Sequence, residues 1–130
     1  MFSLKKNRGD IVFSFKVVDE KFAIISVEER SRITGKIPAE FKKWFESKKL
    51  DTYKAVILDG RNIEFVDSMG IASFISLYKI LSQKNIPFAV CGLNSEVRNL
   101  FKLLKLDKIF VMDCNSPEDF IKNLGDDSHD

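Results

Sequence analysis

The sequence predicts an α/β fold in which a mixed, mostly parallel sheet of four or five strands is covered by about four helices. Short apolar runs of strand length alternate with amphipathic stretches of helical period along most of the 130 residues, and such alternation places successive strands in parallel. The first two strands instead follow one another across a short polar turn, which predicts an antiparallel hairpin. The length is that of one domain.

Five segments have the pattern of strands. Residues 11–18 alternate apolar and polar side chains, as expected of a strand with one buried face. Residues 55–58 are wholly apolar, which is typical of a central strand buried on both faces. The charged segment 28–36 is predicted to be a loop. The remaining strands are predicted at residues 22–27, 88–92 and 109–112.

Four further segments carry apolar residues at the three- and four-residue spacing of an amphipathic helix. Each segment begins at a residue that favours a helix start, and these starts are Pro38, Ser68, Asn94 and Ser116–Pro117. Ser68 is predicted to be the N-cap of the second helix. The buried face of that helix is expected to include Ile71, Phe74 and Ile75.

Composition excludes several classes of function. The chain has 21 Lys and Arg against 19 Asp and Glu, a formal net charge of +2, which gives no electrostatic basis for nucleic-acid binding. No apolar run approaches the roughly 20 residues of a membrane-spanning helix, and residues 1–6 lack the apolar stretch of a secretory signal. We therefore expect a cytoplasmic protein without membrane insertion, with an N-terminal extension (1–9), one domain (10–124) and an acidic C-terminal tail (125–130).

The cysteines and the histidine further limit the catalytic and metal-binding sites that the sequence could form. Cys91 and Cys114 are far apart in the sequence, form no C-x-x-C pair and have apolar neighbours, so each is expected to be a free thiol in a reducing compartment. The single histidine, His129, lies in the tail, which leaves no residue for a histidine-based triad or a His-ligated metal site. No cofactor is expected, because neither glycine-rich phosphate-binding loop is present.

Polar residues cluster between the central strand and the second helix. For Asp59 and Asp67, a turn-forming and a helix-capping role are favoured over a shared cation site. Ser68 lies on a strand-to-helix turn, as in a hydrolase elbow, but Val66 replaces the glycine that such an elbow needs, and no histidine can activate the hydroxyl. For Ser68, capping is favoured over acceptance or recognition of phosphate.

Two stretches of the sequence resemble the STAS domain, the module shared by sulphate transporters and anti-sigma-factor antagonists. In residues 56–71 an apolar strand ends in Asp59, a turn follows, and the segment Asp-Ser-Met-Gly at 67–70 opens a helix. Residues 88–110 contain a strand, a capped helix and a Leu-Asp-Lys-Ile-Phe return. Both stretches occur in the order and at the separation of the family, so the resemblance covers about residues 10–124.

The resemblance implies a non-catalytic anti-sigma-factor antagonist, which binds an anti-sigma factor that is also a serine kinase of the GHKL type and regulates transcription by partner switching. The implied partner-binding residues are Arg61, Asn62, Glu64, Asp67, Ser68 and Met69. The alternative is a STAS regulatory subunit of a larger assembly, such as a lipid-transport ATPase or a stressosome-type scaffold. An enzyme that uses Ser68 or Asp67 is the least supported hypothesis, because no base is available. Nothing in the sequence sets an oligomeric state.

Two positions depart from the family pattern. Residues 28–33 stand where the family usually has Gly-Glu-Leu/Ile-Asp. Met69 occupies the position of the hydroxyl residue that is phosphorylated in some members, and a thioether cannot accept a phosphoryl group. Ser68 is expected to be a poor substitute, because its hydroxyl is predicted to be engaged in capping. The protein should therefore stay in the unphosphorylated-like, binding-competent state, or be regulated elsewhere.

Overall fold

The computed structural model describes residues 2–4 and 13–127. Within these ranges the strands are β1 Phe2–Leu4, β2 Phe13–Val18, β3 Phe22–Val27, β4 Ser31–Ile33, β5 Ala55–Asp59, β6 Ile63–Val66 and β7 Phe88–Cys91. The helices are α1 Ile37–Glu46, α2 Ser68–Ser82, α3 Ser95–Leu103 and α4 Pro117–Asp127, and 3-10 turns span Leu50–Thr52 and Leu106–Lys108. Residues 11–12, the predicted start of a strand, and His129 lie outside the described ranges.

A mixed five-stranded sheet forms the centre of the fold, in the order β1-β2-β3-β5-β7. β2 and β3 form the predicted antiparallel hairpin, and β1, within the segment 1–9, pairs antiparallel with β2. β5 lies between β3 and β7 and is parallel to both. Its apolar residues are all buried. The prediction of an α/β fold with a central strand at residues 55–58 is thus confirmed.

Helices α1, α2 and α3 cover one face of the sheet, where aromatic rings form a continuous row. The ring centroids are 4.9 Å apart for Phe13 and Phe41, 5.7 Å for Phe41 and Phe74, and 6.2 Å for Phe74 and Phe101. Aromatic pairs at such distances attract one another, so the row joins β2 and the three helices in one main core. Helix α4 covers the opposite face, where Phe120 belongs to a smaller cluster with residues of β3, β5 and β7.

A two-stranded parallel ribbon, formed by β4 and β6, lies beside the main sheet. The prediction of a loop throughout residues 28–36 is therefore wrong, and the sequence indicated β6 only as an unbounded strand that leads into the turn at Ser68. The two strands have only three and four residues, which is too short for a clear alternating pattern. Their inward residues, among them Ile33 and Val66, are nevertheless buried in the main core.

The prediction of a strand at residues 109–112 is wrong. Within that segment only Val111 pairs with another strand, through an isolated bridge to Ala89. The preceding 3-10 turn is the reason. The backbone N–H groups of Ile109 and Phe110 both donate to the carbonyl of Leu106, at 3.1 and 2.8 Å. These two donors are therefore not available to a neighbouring strand.

Cys91 and Cys114 form a disulfide, which corrects the expectation of two free thiols. The fold brings the end of β7 beside the loop that precedes α4, so that the two Cα atoms are 5.0 Å apart. A disulfide spans this separation readily. The sequence alone did not indicate the pairing, because the cysteines are 23 residues apart and meet only through the crossover of α3.

The end of α3 provides a test of the backbone geometry. Lys105 follows the helix with φ of 61°, a left-handed conformation that favours glycine. We expect Lys105→Gly to raise the free energy of unfolding, measured by urea denaturation, by about 0.5–1 kcal/mol. The matched change Lys102→Gly, inside the last turn of α3, should lower it by about 1 kcal/mol. Changes of the same sign in both variants would contradict the left-handed conformation of Lys105.

Candidate binding surface at the start of helix α2

Helix α2 begins where the β4–β6 ribbon ends, and Asp67 fixes its first turn. Asp67 has an extended backbone, and its Oδ1 atom accepts a hydrogen bond from the backbone N–H of Gly70 at 2.8 Å. Its Oδ2 atom accepts a second bond from the backbone N–H of Gly35 at 3.2 Å. The predicted capping role of Asp67 is thus confirmed, and the carboxylate also ties α2 to the loop before α1.

The prediction that Ser68 is the N-cap is wrong. Ser68 is the first residue of the helix and is exposed, and the described residues give its hydroxyl no hydrogen-bond partner. The capping residue precedes the first helical one, because its non-helical backbone directs the side chain towards the free N–H groups of the first turn. Asp and Ser are both good caps, so the sequence left the helix start uncertain by one position. Capping therefore does not engage the hydroxyl of Ser68.

Gly70 allows the first turn of α2 to lie directly on the ribbon. A Cβ atom at this position would be 2.5 Å from Cγ1 of Val66 and 2.6 Å from the carbonyl oxygen of Ile33. Both distances are shorter than any that a Cβ atom tolerates. Any larger residue would push the helix start away from the ribbon, so the position of this turn depends on glycine.

Met69 is the apolar residue that this turn presents to solvent. The residue is 60% exposed, whereas Ile71 and Phe74 are buried in the core, as predicted. Ile75, also predicted to be buried, is half-buried. The first turn of α2 therefore combines a buried apolar side, a capped backbone and an exposed thioether.

Arg61 and Asn62, in the turn between β5 and β6, are held by neighbouring groups. The Nε and Nη2 atoms of exposed Arg61 lie 2.9 and 2.6 Å from the Oδ1 and Oδ2 atoms of Asp59, and this hydrogen bonding is the main cause of the raised pKa of Arg61. Asp59 also accepts from the backbone N–H of Arg61, which confirms its turn-forming role. The amide of half-buried Asn62 donates to the carbonyl of Val27 at 2.8 Å and so anchors the turn to β3.

The ribbon and the residue just before it contribute three residues that the sequence did not indicate, Arg30, Arg32 and Phe65. The Nε atom of Arg30 lies 3.3 Å from Oε2 of Glu64, and the guanidinium of Arg32 lies 4.7 Å from the centroid of the Phe65 ring. Exposed ion pairs of this kind add little to stability, whereas arginine and aromatic side chains are enriched in protein interfaces. The only sequence feature that could have indicated them is the alternation of charged and other residues at 30–33.

We call this group the ribbon–helix surface: Arg30, Arg32, Glu64, Ser68 and Met69 are exposed, and Phe65 is half-buried beneath the guanidinium of Arg32. Of the predicted site residues, Arg61, Glu64, Ser68 and Met69 are exposed, whereas Asn62 and Asp67 are half-buried and bound to backbone groups. Among the described residues there is no group of three or more side chains that could ligate a metal. No helix in the described ranges combines the length and apolar character of a membrane span.

Comparison of the sequence with known proteins identifies a family and a similar protein. The family model described as the STAS domain matches residues 16–124. An anti-sigma F factor antagonist from Paenibacillus polymyxa is 35% identical to this chain over 54 residues, which make up 42% of this chain and 46% of that protein. The match thus spans about half the length of this curated relative.

Solved structures share the fold. An anti-sigma factor antagonist from Mycobacterium paratuberculosis superposes with a TM-score of 0.75 at 19% identity, over 92% of this chain and 97% of the other. The anti-sigma factor antagonist SpoIIAA, in its unphosphorylated form, superposes with a TM-score of 0.72 at 14% identity, over 86% of this chain and 95% of the other. At these identities, the similarity is one of fold.

The capping geometry predicts different effects for two adjacent substitutions. Asp67→Ala should lower the free energy of unfolding by about 1–2 kcal/mol, because it removes the acceptor of the Gly70 and Gly35 bonds. Ser68→Ala should change it by less than about 0.5 kcal/mol. Urea denaturation of the two variants measures both values. A loss in Ser68→Ala as large as that in Asp67→Ala would show that the serine is the cap.

Proposed function

Since the chain belongs to the STAS domain family, we propose that it is an anti-sigma-factor antagonist, a non-catalytic protein that binds an anti-sigma factor. Such binding removes the anti-sigma factor from its sigma factor and permits transcription. The similarity to a protein named an anti-sigma F factor antagonist supports the proposal. The ribbon–helix surface supports it too, because its groups suit contact with a macromolecule.

The exposure of Met69 is the observation that carries the proposal. Burial of this apolar side chain, now 60% exposed, in a partner's pocket would be favourable. The turn beneath it is fixed by the Asp67 cap and by the close contact of Gly70 with Ile33, so its backbone loses little conformational entropy on binding. These properties are typical of an anchor residue in a protein interface.

We propose that the partner is an anti-sigma factor of the GHKL serine kinase type and that both proteins act in the cytoplasm. Arg30, immediately before β4, and Arg32, within β4, are both exposed, and guanidinium groups form strong, paired hydrogen bonds with carboxylates. The partner should therefore present an apolar pocket for Met69 that is flanked by acidic side chains.

Met69 also restricts phosphorylation at the start of α2. Ser68 has an exposed hydroxyl, but successive residues of a helix point about 100° apart. A kinase that addresses the second residue of α2 meets the thioether of Met69 instead. We therefore propose that the protein stays in its binding-competent state, with Ser68 as a poor acceptor because of its direction and not because of capping.

The lack of a hydroxyl group at Met69 also favours one alternative function. In this alternative, the protein is a STAS regulatory subunit in a larger assembly, such as a lipid-transport ATPase or a stressosome-type scaffold. A permanently docked subunit needs no phosphate acceptor at the start of α2. Reconstitution from purified components distinguishes the two functions. A stable complex with a GHKL-type kinase supports the antagonist, and one with an ABC ATPase or a scaffold protein supports the subunit.

A charged substitution of Met69 tests the proposed surface. We expect Met69→Asp to weaken binding to the purified anti-sigma factor at least tenfold in calorimetric titration, with an unchanged melting temperature, because the anchor no longer fits an apolar pocket. The control is Leu103→Asp, which places the same charge at an exposed apolar position on α3 and should leave the affinity unchanged. Equal affinities of wild type and Met69→Asp would remove the surface from consideration.

The phosphorylation proposal has its own test, in which the protein is incubated with the cognate kinase and ATP and the phosphate is located by mass spectrometry. The wild type should remain unmodified at the start of α2, whereas Met69→Ser should gain a phosphoryl group at the new hydroxyl. Stoichiometric phosphoserine at Ser68 of the wild type would overturn the proposal.

A further inference from the structure

The Cys91–Cys114 disulfide lies outside the ribbon–helix surface, at the junction of β7 with the segment that leads into α4. The two cysteine carbonyls take part in the local hydrogen bonding: Gly60 donates its N–H to Cys91 at 2.7 Å, and Gly92 donates to Cys114 at 3.2 Å. Both cysteines are almost completely buried. The disulfide therefore adds a covalent link where α4 and its preceding loop join the sheet.

The apolar attachment of α4 is small. Phe120 is buried, and Ile121 and Leu124 are partly buried, in the minor cluster on this face of the sheet. Among the residues whose side chains are described, none beyond Met112 belongs to the main core. A segment with few buried apolar contacts is the kind that opens without global unfolding. Opening of residues 113–127 would uncover the sheet residues of this minor cluster but would leave the main core and its three helices packed.

A cavity adjoins the disulfide on the side of α4. It has a volume of about 320 Å³, and Cys114, Phe120, Leu124, Pro87 and Val111 contribute to its wall. Two thiols need more room than a disulfide, because non-bonded sulfur atoms stay further apart than bonded ones. The cavity borders Cys114, so space for this separation lies next to one of the two cysteines.

From these observations we infer that the disulfide is a redox-operated clamp, which holds residues 113–127 on the sheet when oxidised and lets them loosen when reduced. A thiol reductant supplies the two electrons and two protons, the S–S bond becomes two S–H groups, and the reductant becomes a disulfide. In a reducing compartment, disulfides that do form usually act as redox sensors or catalysts. The clamp does not depend on the proposed function.

The loosened region has a defined boundary. A Cβ atom on Gly92 would lie 2.5 Å from Cγ of Arg61 and 2.9 Å from the carbonyl oxygen of Asn115. Gly92 therefore packs closely against both the turn that contains Arg61 and the loop before α4. Reduction of the disulfide should therefore also loosen the turn that contains Arg61. Asp67 and its hydrogen bonds lie on other segments and should be unaffected.

Hydrogen exchange measured by mass spectrometry tests the clamp on the intact chain with and without a phosphine reductant. We expect amides of residues 115–124 to exchange at least tenfold faster after reduction, while those of β5 keep their rates. The double variant Cys91→Ala/Cys114→Ala should show the fast pattern with or without reductant. Unchanged exchange in residues 115–124, or equal acceleration in β5, would overturn the inference.

The rate of reduction under native conditions gives a second test with matched variants. If the bond becomes accessible when α4 loosens, Phe120→Ala should accelerate reduction at least tenfold, because it weakens the attachment of α4. Leu81→Ala, in the main core, should accelerate it less than twofold, although it lowers global stability. Similar acceleration in both variants would mean that the disulfide opens only on global unfolding, which contradicts a local clamp.

Discussion

The carboxylate of Asp67 is the interaction on which the start of α2 depends. Its two oxygens accept from Gly70 and Gly35, and the backbone N–H of Asp67 donates to the carbonyl of Ile33 at 3.2 Å. One residue thus joins the first turn of α2, the loop before α1 and strand β4. Because Asp67 is the capping residue, Ser68 and Met69 are the first two residues of the capped turn. They face solvent on a backbone that cannot shift without breaking these bonds.

The two faces of the sheet have different properties. On one face, α1, α2 and α3 share a main core in which rings from β2 to α3 are in contact, and this core supports the ribbon–helix surface. On the other face, α4 rests on a small cluster and on a disulfide. The division separates the proposed recognition surface from the segment whose attachment we infer to depend on the oxidation state of one bond.

Features that depend on local pattern were predictable from the sequence. The buried run at residues 55–58 and the helical spacing of Phe41, Trp44 and Phe45 correctly gave a central strand and α1. Features that depend on tertiary contact were not. The disulfide needs the crossover of α3 to bring two distant thiols together, and the ribbon stabilises strands too short to show a period. At the start of α2, the sequence offered both Asp67 and Ser68 as capping residues, and only the backbone geometry shows that the cap is Asp67.

Cross-saturation transfer by NMR, from the unlabelled anti-sigma factor to the isotope-labelled chain, tests most directly whether the ribbon–helix surface is the site of contact. The account predicts the largest intensity losses at the methyl group of Met69 and at the amides of Glu64, Phe65 and Ser68, with no loss at Leu103 on α3. Losses centred instead on the groove between the ends of α1 and α2, lined in part by Leu50 and Ile80, with Met69 unchanged, would contradict it.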